Sequence, residues 1–199
     1  IRRHQIDASD RFTDLANAQR LVHHYGDDLL FLDGKTPLQW DGRCWAKDSS
    51  DLIGDISTTI PMKLSRLIEE HEISVLRTQI QETERTGSGN THELLSLLED
   101  YEDWRKESES RKHIDAAARL FQKVLTVTSD RINKNLMTIV CENGTVELET
   151  GEFRPSLKND LDTRMVAVQF DPEASCPRFL RFMDEVFVGD SELIRYVQQ

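Results

Sequence analysis

Apolar positions first recur at helical spacing. Leu15, Ala18, Leu21, Val22 and Tyr25 form one stripe, which predicts a helix over 14–25. Thr13 suits its N-cap, Asp14 its first turn and Gly26 its end. The period then shortens. Leu29–Leu32, Pro37–Trp40 and Arg43–Lys47 are short runs split by Asp33-Gly34 and Asp41-Gly42, which predicts a small β-meander. Trp40 and Trp45 flank the second turn and are read as turn packing rather than as a base-stacking surface.

Helical patterning resumes over 62–84, with Leu64, Leu67, Ile68, Leu76 and Ile80 as core. Thr86-Gly87-Ser88-Gly89-Asn90 reads as a linker. A helix over 92–107 carries Leu94, Leu98, Tyr101 and Trp104 on one side and Glu99, Glu102 and Asp103 on a solvated one. After Ser108-Glu109-Ser110, the segment 111–125 places Ile114, Ala117, Ala118, Phe121, Val124 and Leu125 within about 120° of arc. Lys112, Arg119 and Lys123 fall opposite. Met137–Glu142 and Thr145–Glu149 flank Asn143-Gly144 and predict a hairpin with a type I′ turn. Pro177 suits the first position of a helix over 178–188, which Gly189 ends. Asp190 or Ser191 caps the next, which runs on to Gln199. These elements predict an α+β fold of several amphipathic helices with small antiparallel hairpins or a meander, ending in two helices.

The net charge of −11 is unevenly spread. Residues 111–141 hold 6 basic and 2 acidic side chains, a net +4. Residues 48–110, with 6 basic and 15 acidic, carry −9. A segregated basic stripe is what contact with a phosphate backbone requires, although any amphipathic helix also needs a solvated face. Arg131 and Lys134 extend the stripe, so Lys112, Arg119, Lys123, Arg131 and Lys134 are the candidate nucleic-acid contacts. Phe179, Phe182, Met183, Val186 and Phe187 form an apolar face wider than a domain edge needs, and are the candidate oligomer or helicase interface.

Other chemical signals are weak. Gly34-Lys35-Thr36 resembles the end of a phosphate loop, but Leu29 stands where the first glycine is required and the context is a meander. Asp160 and Asp162 resemble a metal-holding carboxylate pair without an evident third member, and Glu147 and Glu149 share a strand face. His4, His23, His24, His71, His92 and His113 show no metal spacing. Cys44, Cys141 and Cys176 form no CxxC pair and suit a reducing cytoplasm. No catalytic residue, metal site or cofactor is therefore assigned. No apolar run predicts a membrane span. The start at Ile1 and the stop at Gln199 are read as marking a piece of a larger protein.

Several motifs carry a family resemblance. Thr13-Asp14-Leu15-Ala16-Asn17-Ala18, Gly26-Asp27-Asp28-Leu29 and Trp40-Asp41-Gly42-x-x-Trp45 are followed by Ser108-Glu109-Ser110. Then come Asn143-Gly144-Thr145-Val146-Glu147-Leu148-x-Thr150-Gly151-Glu152-x-Arg154-Pro155 and Phe170-Asp171-Pro172-x-Ala174-x-Cys176-Pro177. Phe182-Met183-Asp184-Glu185-Val186-Phe187-x-Gly189-Asp190 completes the series. In this order they resemble the domain that precedes the helicase in phage, plasmid and poxvirus primase–helicases. The likeness runs over about 12–199 and departs most over 50–107.

The resemblance implies a parent that is a superfamily 3 DNA helicase, a hexameric ring ATPase, with ATP and magnesium bound downstream of this chain. It implies partners in DNA, the protein's own helicase domain, further copies of itself, and a primase in cis or in trans. The expected organisation is an N-terminal extension (1–11), a helicase-associated accessory domain (12–175) and the start of a helicase-proximal helical segment (176–199). The expected function is an accessory, DNA-contacting and ring-supporting module in the cytoplasm of a bacterial or phage-infected cell. The alternatives are a purely structural or protein-interaction module linking primase to helicase, and a catalytic primase fragment using Asp160 and Asp162.

Overall fold

In the computed structural model, residues 10–47, 63–87 and 89–197 are described. Most of the expected N-terminal extension and the first residue of the expected 62–84 helix lie outside them. Helix α1 (Asp14–Tyr25) starts as its sequence dictates, with Thr13 Oγ1 accepting from the Ala16 amide at 3.1 Å. Strands β1 (Leu29–Leu32), β2 (Thr36–Trp40) and β3 (Trp45–Lys47) form the antiparallel meander. Asp33 and Gly34 both have positive φ and the Lys35 amide donates to the Leu32 carbonyl, the geometry of a type I′ turn.

Residues 63–68 are helical and run through a π-helical turn, Glu69–Ile73, into α2 (Ser74–Thr86). Helix α3 (Thr91–Ser108) is capped by Asn90, and α4 (Arg111–Val124) follows directly. These helices enclose the core with α1 and β1. Leu21, Phe31, Leu64, Ile68, Ile73, Ala117 and Leu125 are essentially inaccessible there. Phe31 meets Phe121 edge to face at 5.7 Å. Val124, expected in the core arc, is half exposed, and Leu125 takes the buried place. Leu15 is likewise 46% exposed, because α1 buries a face centred on Asn17, Ala18 and Leu21 rather than on the purely apolar stripe.

The sequence predicts antiparallel pairing alone, and the structure corrects this. The two-residue strand β4 (Thr126–Val127) lies parallel to β1, so the first sheet is mixed, in the order β3-β2-β1-β4. Helix α4 packs on α1 and delivers β4 to that edge, the crossover that parallel pairing needs.

A second sheet holds β5 (Thr138–Cys141), β6 (Gly144–Glu147) and β7 (Phe153–Arg154), all antiparallel. Its first turn is not Asn143-Gly144. Gly144 already pairs with Cys141, the turn residues are Glu142 and Asn143, and Asn143 has no positive φ. Gly144 is required for another reason: a Cβ there would lie 2.6 Å from the Arg154 carbonyl oxygen and 2.7 Å from Phe153 Cζ. Trp45 ties the first sheet to the segment that follows β7, its indole N–H donating to the Lys158 carbonyl at 2.9 Å and its amide to the Asp162 carbonyl at 2.8 Å.

Helices α5 (Pro177–Val186) and α6 (Ser191–Val197) pack against each other. Pro177 stands at the start of α5, and Asp190 Oδ1 accepts from the Glu192 and Leu193 amides. The architecture is the expected α+β class. Among the described residues no helix is long and apolar enough to cross a membrane.

Candidate nucleic-acid interface

Helix α4 is amphipathic along its length, with Ile114, Ala117, Ala118 and Phe121 fixed in the core. That anchoring dictates what the opposite side shows: Lys112, Arg119 and Lys123 are exposed. The start of the helix is tied to α1, where His113 Nδ1 lies 2.6 Å from Asp14 Oδ1. Its end is tied through β4, since the Ser129 amide donates to Asp33 Oδ1 at 3.0 Å. A short 3₁₀ turn, Ser129–Arg131, then presents Arg131, and Lys134 follows, both exposed.

The structure thus presents all five predicted cations to solvent. None of them forms an ion pair with a described residue, whereas Arg66, Arg77 and Arg105 each face a carboxylate. Asp130 interrupts the patch. The Thr128 hydroxyl, with Lys134 and Arg131 nearby, holds its carboxyl below the usual range.

The acidic helix α3 differs from its expectation as a plain solvated face. Glu102 accepts from Arg77 at 2.8 Å, and Arg77 also reaches Glu69 at 2.6 Å, so this charge fastens α3 to α2 and the π turn.

The predicted carboxylate pair does not act as a pair. Arg154 bridges Asp160 at 2.8 Å and Glu147 at 2.9 Å, so one guanidinium engages both. Glu147 is therefore not the wet residue its alternation with Glu149 implies. Asp162 is buried, with one oxygen, Oδ2, lacking any hydrogen-bond partner. Burial pushes its pKa up, Asp160 and Glu147 add to the rise, and Arg154 opposes it. Among the described residues, no three His, Cys, Asp or Glu side chains are grouped so as to hold a metal ion.

Asp162 also lines a cleft of about 110 Å³ with Asn133, Asn135, Leu136, Thr138, Val140 and Arg164. One wall is β5 and another the segment beside it, where the Val166 amide donates to the Val140 carbonyl at 2.9 Å. The sequence reading missed this cleft and the Arg154 bridge. The bridge joins residues 6 and 7 positions apart and the cleft residues up to 31 apart, and no short-range spacing marks either.

On α5, Phe179, Phe182 and Val186 are about half exposed and Phe187 is partly buried. Met183 is not available as a surface contact: it is 5% exposed, which corrects its place in the predicted interface. Gly34-Lys35-Thr36 forms the β1–β2 hairpin turn and the first residue of β2, not a strand-to-helix phosphate loop.

A family model described as D5 N terminal like matches residues 18–188. A search of curated proteins returns no match to the chain.

Proposed function

The chain belongs to the D5 N-terminal-like family, the N-terminal domain of phage, plasmid and poxvirus primase–helicase proteins, and on that basis we propose that it is the accessory, DNA-contacting and ring-supporting module of a replicative helicase. Membership places the chain among primase–helicase replication proteins. The DNA contact rests on one observation: five exposed cations with no ion-pair partner among the described residues, on a helix and its continuation, in the one net-positive segment of an acidic chain. A strand laid along them exchanges condensed counterions for Lys and Arg, which gives affinity without sequence reading. The ring-supporting role rests on the exposed Phe179, Phe182 and Val186, an apolar surface suited to the parent's ring domain or to a second copy. ATP chemistry belongs, in this reading, to the parent rather than to this chain.

The test is a triple reversal, Lys112→Glu, Arg119→Glu and Lys123→Glu, with single-strand binding followed by fluorescence anisotropy over a salt series. Each lost phosphate contact lowers the slope of log K against log salt by roughly 0.7, so the three together remove about 2. A control reversal, Glu99→Lys with Asp100→Lys on α3, leaves the five cations in place. Wild-type binding and slope in the triple variant reduce the stripe to a solvated face and leave the protein-linking alternative.

A further inference from the structure

Backbone strain collects beside the basic segment. Among the described residues, the positive-φ positions that are not glycine are Asp33, Asn133, Leu161 and Val188. The first three lie in three chain segments that the fold ties together. Asp33 belongs to the β1–β2 turn, its amide donating to the Val127 carbonyl at 2.9 Å and its Oδ1 accepting from the Ser129 amide at 3.0 Å. The Asn133 amide donates to the Leu161 carbonyl at 3.2 Å. Its side chain clamps Thr163, Nδ2 donating to Thr163 Oγ1 and Oδ1 accepting from the Thr163 amide, both at 2.8 Å. Asp and Asn adopt the left-handed conformation readily in turns. For a residue as bulky as leucine it is an outlier that the surrounding contacts must hold in place.

Each of these segments carries cations close to its left-handed residue. Lys35 follows Asp33, Arg131 and Lys134 flank Asn133, and Arg164 follows Leu161. All four are exposed and none pairs with a described carboxylate. Arg154 and Lys158, just before Leu161 in the chain, are by contrast engaged by Glu147, Asp160 and Asp28. The acidic side chains on the three segments do not offset the group. Asp162 is buried, Asp33 is held by the Ser129 amide, and Asp130 is hydrogen-bonded by the Thr128 hydroxyl. Four cations against the exposed Asp33 and Asp130 leave a net +2. Like charges gathered in this way repel one another unless an anion joins them. A polyanion, whose charges are spaced along a chain, suits cations spread over three segments.

We propose that Lys35 and Arg164 bind phosphates of the same DNA strand as Arg131 and Lys134, so that the strand passes from α4 across the junction of the three segments. The proposal rests on the DNA-contacting reading above and extends its footprint to two residues outside the net-positive segment. On α4 itself Lys112 and Lys123 stand roughly 16 Å apart at 1.5 Å per residue, a short track. The turn that bears Lys35 begins where that track ends, since a Cβ on Gly34 would lie 3.4 Å from Thr126 Oγ1. Arg131 and Lys134 come next, and the Asn133–Thr163 clamp sets Arg164 beside them. Lys35 acts here as a point charge on a phosphate, not as part of a nucleotide loop. Contacts of this kind position a strand without reading its sequence.

The experiment measures binding of an oligothymidylate by anisotropy across a salt series, using the 199-residue chain. Lys35→Gln with Arg164→Gln lowers the slope of log K against log salt by about 1.4, roughly 0.7 for each lost contact. Arg85→Gln, which removes an exposed cation on α2, leaves the slope unchanged. Arg164→Lys keeps the charge and keeps the slope, and thermal melts matching the wild type show that the variants fold. Inorganic phosphate in place of chloride at equal ionic strength displaces the strand no further. Stronger displacement by phosphate marks a site for the free ion and overturns the strand contact. A wild-type slope in Lys35→Gln with Arg164→Gln, beside a slope lowered by about 2 in the α4 triple reversal, overturns the proposal and spares the reading beneath it. A wild-type slope in the triple reversal as well, or no salt-dependent binding by the wild type, overturns both.

Discussion

Replacing Arg20 with Met tests how the helical core is held together. Arg20 lies on α1 with its side chain 5% exposed, and its guanidinium donates from Nε to Glu72 Oε1 at 2.7 Å. It also donates to Asn17 Oδ1 at 3.0 Å and to the Arg11 carbonyl at 3.1 Å. Asn17, fully buried, passes the network on to Ser108 at 2.9 Å and receives the Trp104 indole N–H at 3.2 Å. One guanidinium thus links α1, the π turn, the chain before α1 and, through Asn17, α3.

Without it, Glu72 keeps a charge whose second oxygen is already buried and unpartnered. Breaking a buried pair from one side costs about 3–5 kcal/mol. Glu72 is 19% exposed, so the lower end applies, about 3 kcal/mol. For a domain of this size that lowers Tm by roughly 6–12 °C. Urea unfolding followed by circular dichroism measures it. The decisive partner is the double variant Arg20→Met with Glu72→Met, which leaves no stranded charge and recovers most of the loss. A single variant costing under about 1 kcal/mol, or a double variant as unstable as the two singles summed, refutes the reasoning.

Two further predictions concern stability and assembly. Because burial raises the Asp162 pKa, the folded state retains a proton that the unfolded state has released, and stability falls as pH rises through the window above 3.8. Asp162→Asn therefore raises Tm at neutral pH, and the gain shrinks as the pH nears that value; a variant less stable at neutral pH contradicts this. Phe179→Ser with Phe182→Ser lowers concentration-dependent self-association in sedimentation velocity without moving Tm, since both side chains are half exposed. A wild-type chain that stays monomeric at high concentration removes the interface.

What the sequence made legible was local. The Thr13 cap, the Asp33-Gly34 turn, the Pro177 start and the exposure of Lys112, Arg119 and Lys123 each follow from spacing over a few residues. What it hid was non-local or polar. Asn17 and Arg20 are as buried as the leucines beside them, but periodicity counts only apolar side chains and so pointed to Leu15 instead. Gly144 carried the right turn signal for the wrong reason, because the constraint comes from β7. Asp160 and Asp162 look alike in the sequence, and Arg154 divides them into a paired carboxylate and a stranded one. The whole of the Asp162 cleft depends on how β5 meets the segment after Asp162, which no short pattern encodes.

The parallel pairing of β1 with β4 has a consequence for the order in which the protein assembles. Phe31 and Thr126 are register partners, 95 positions apart. The meander β1–β2–β3 can form early, but its β1 edge keeps unsatisfied backbone groups until α4 has folded and delivered β4. At roughly 5–20 residues per second, synthesis alone leaves that edge open for about 5–20 s. An unpaired edge is a template for pairing with another chain. The nascent meander is therefore the stage most exposed to misassembly, and a two-residue strand late in the chain is what ends the hazard.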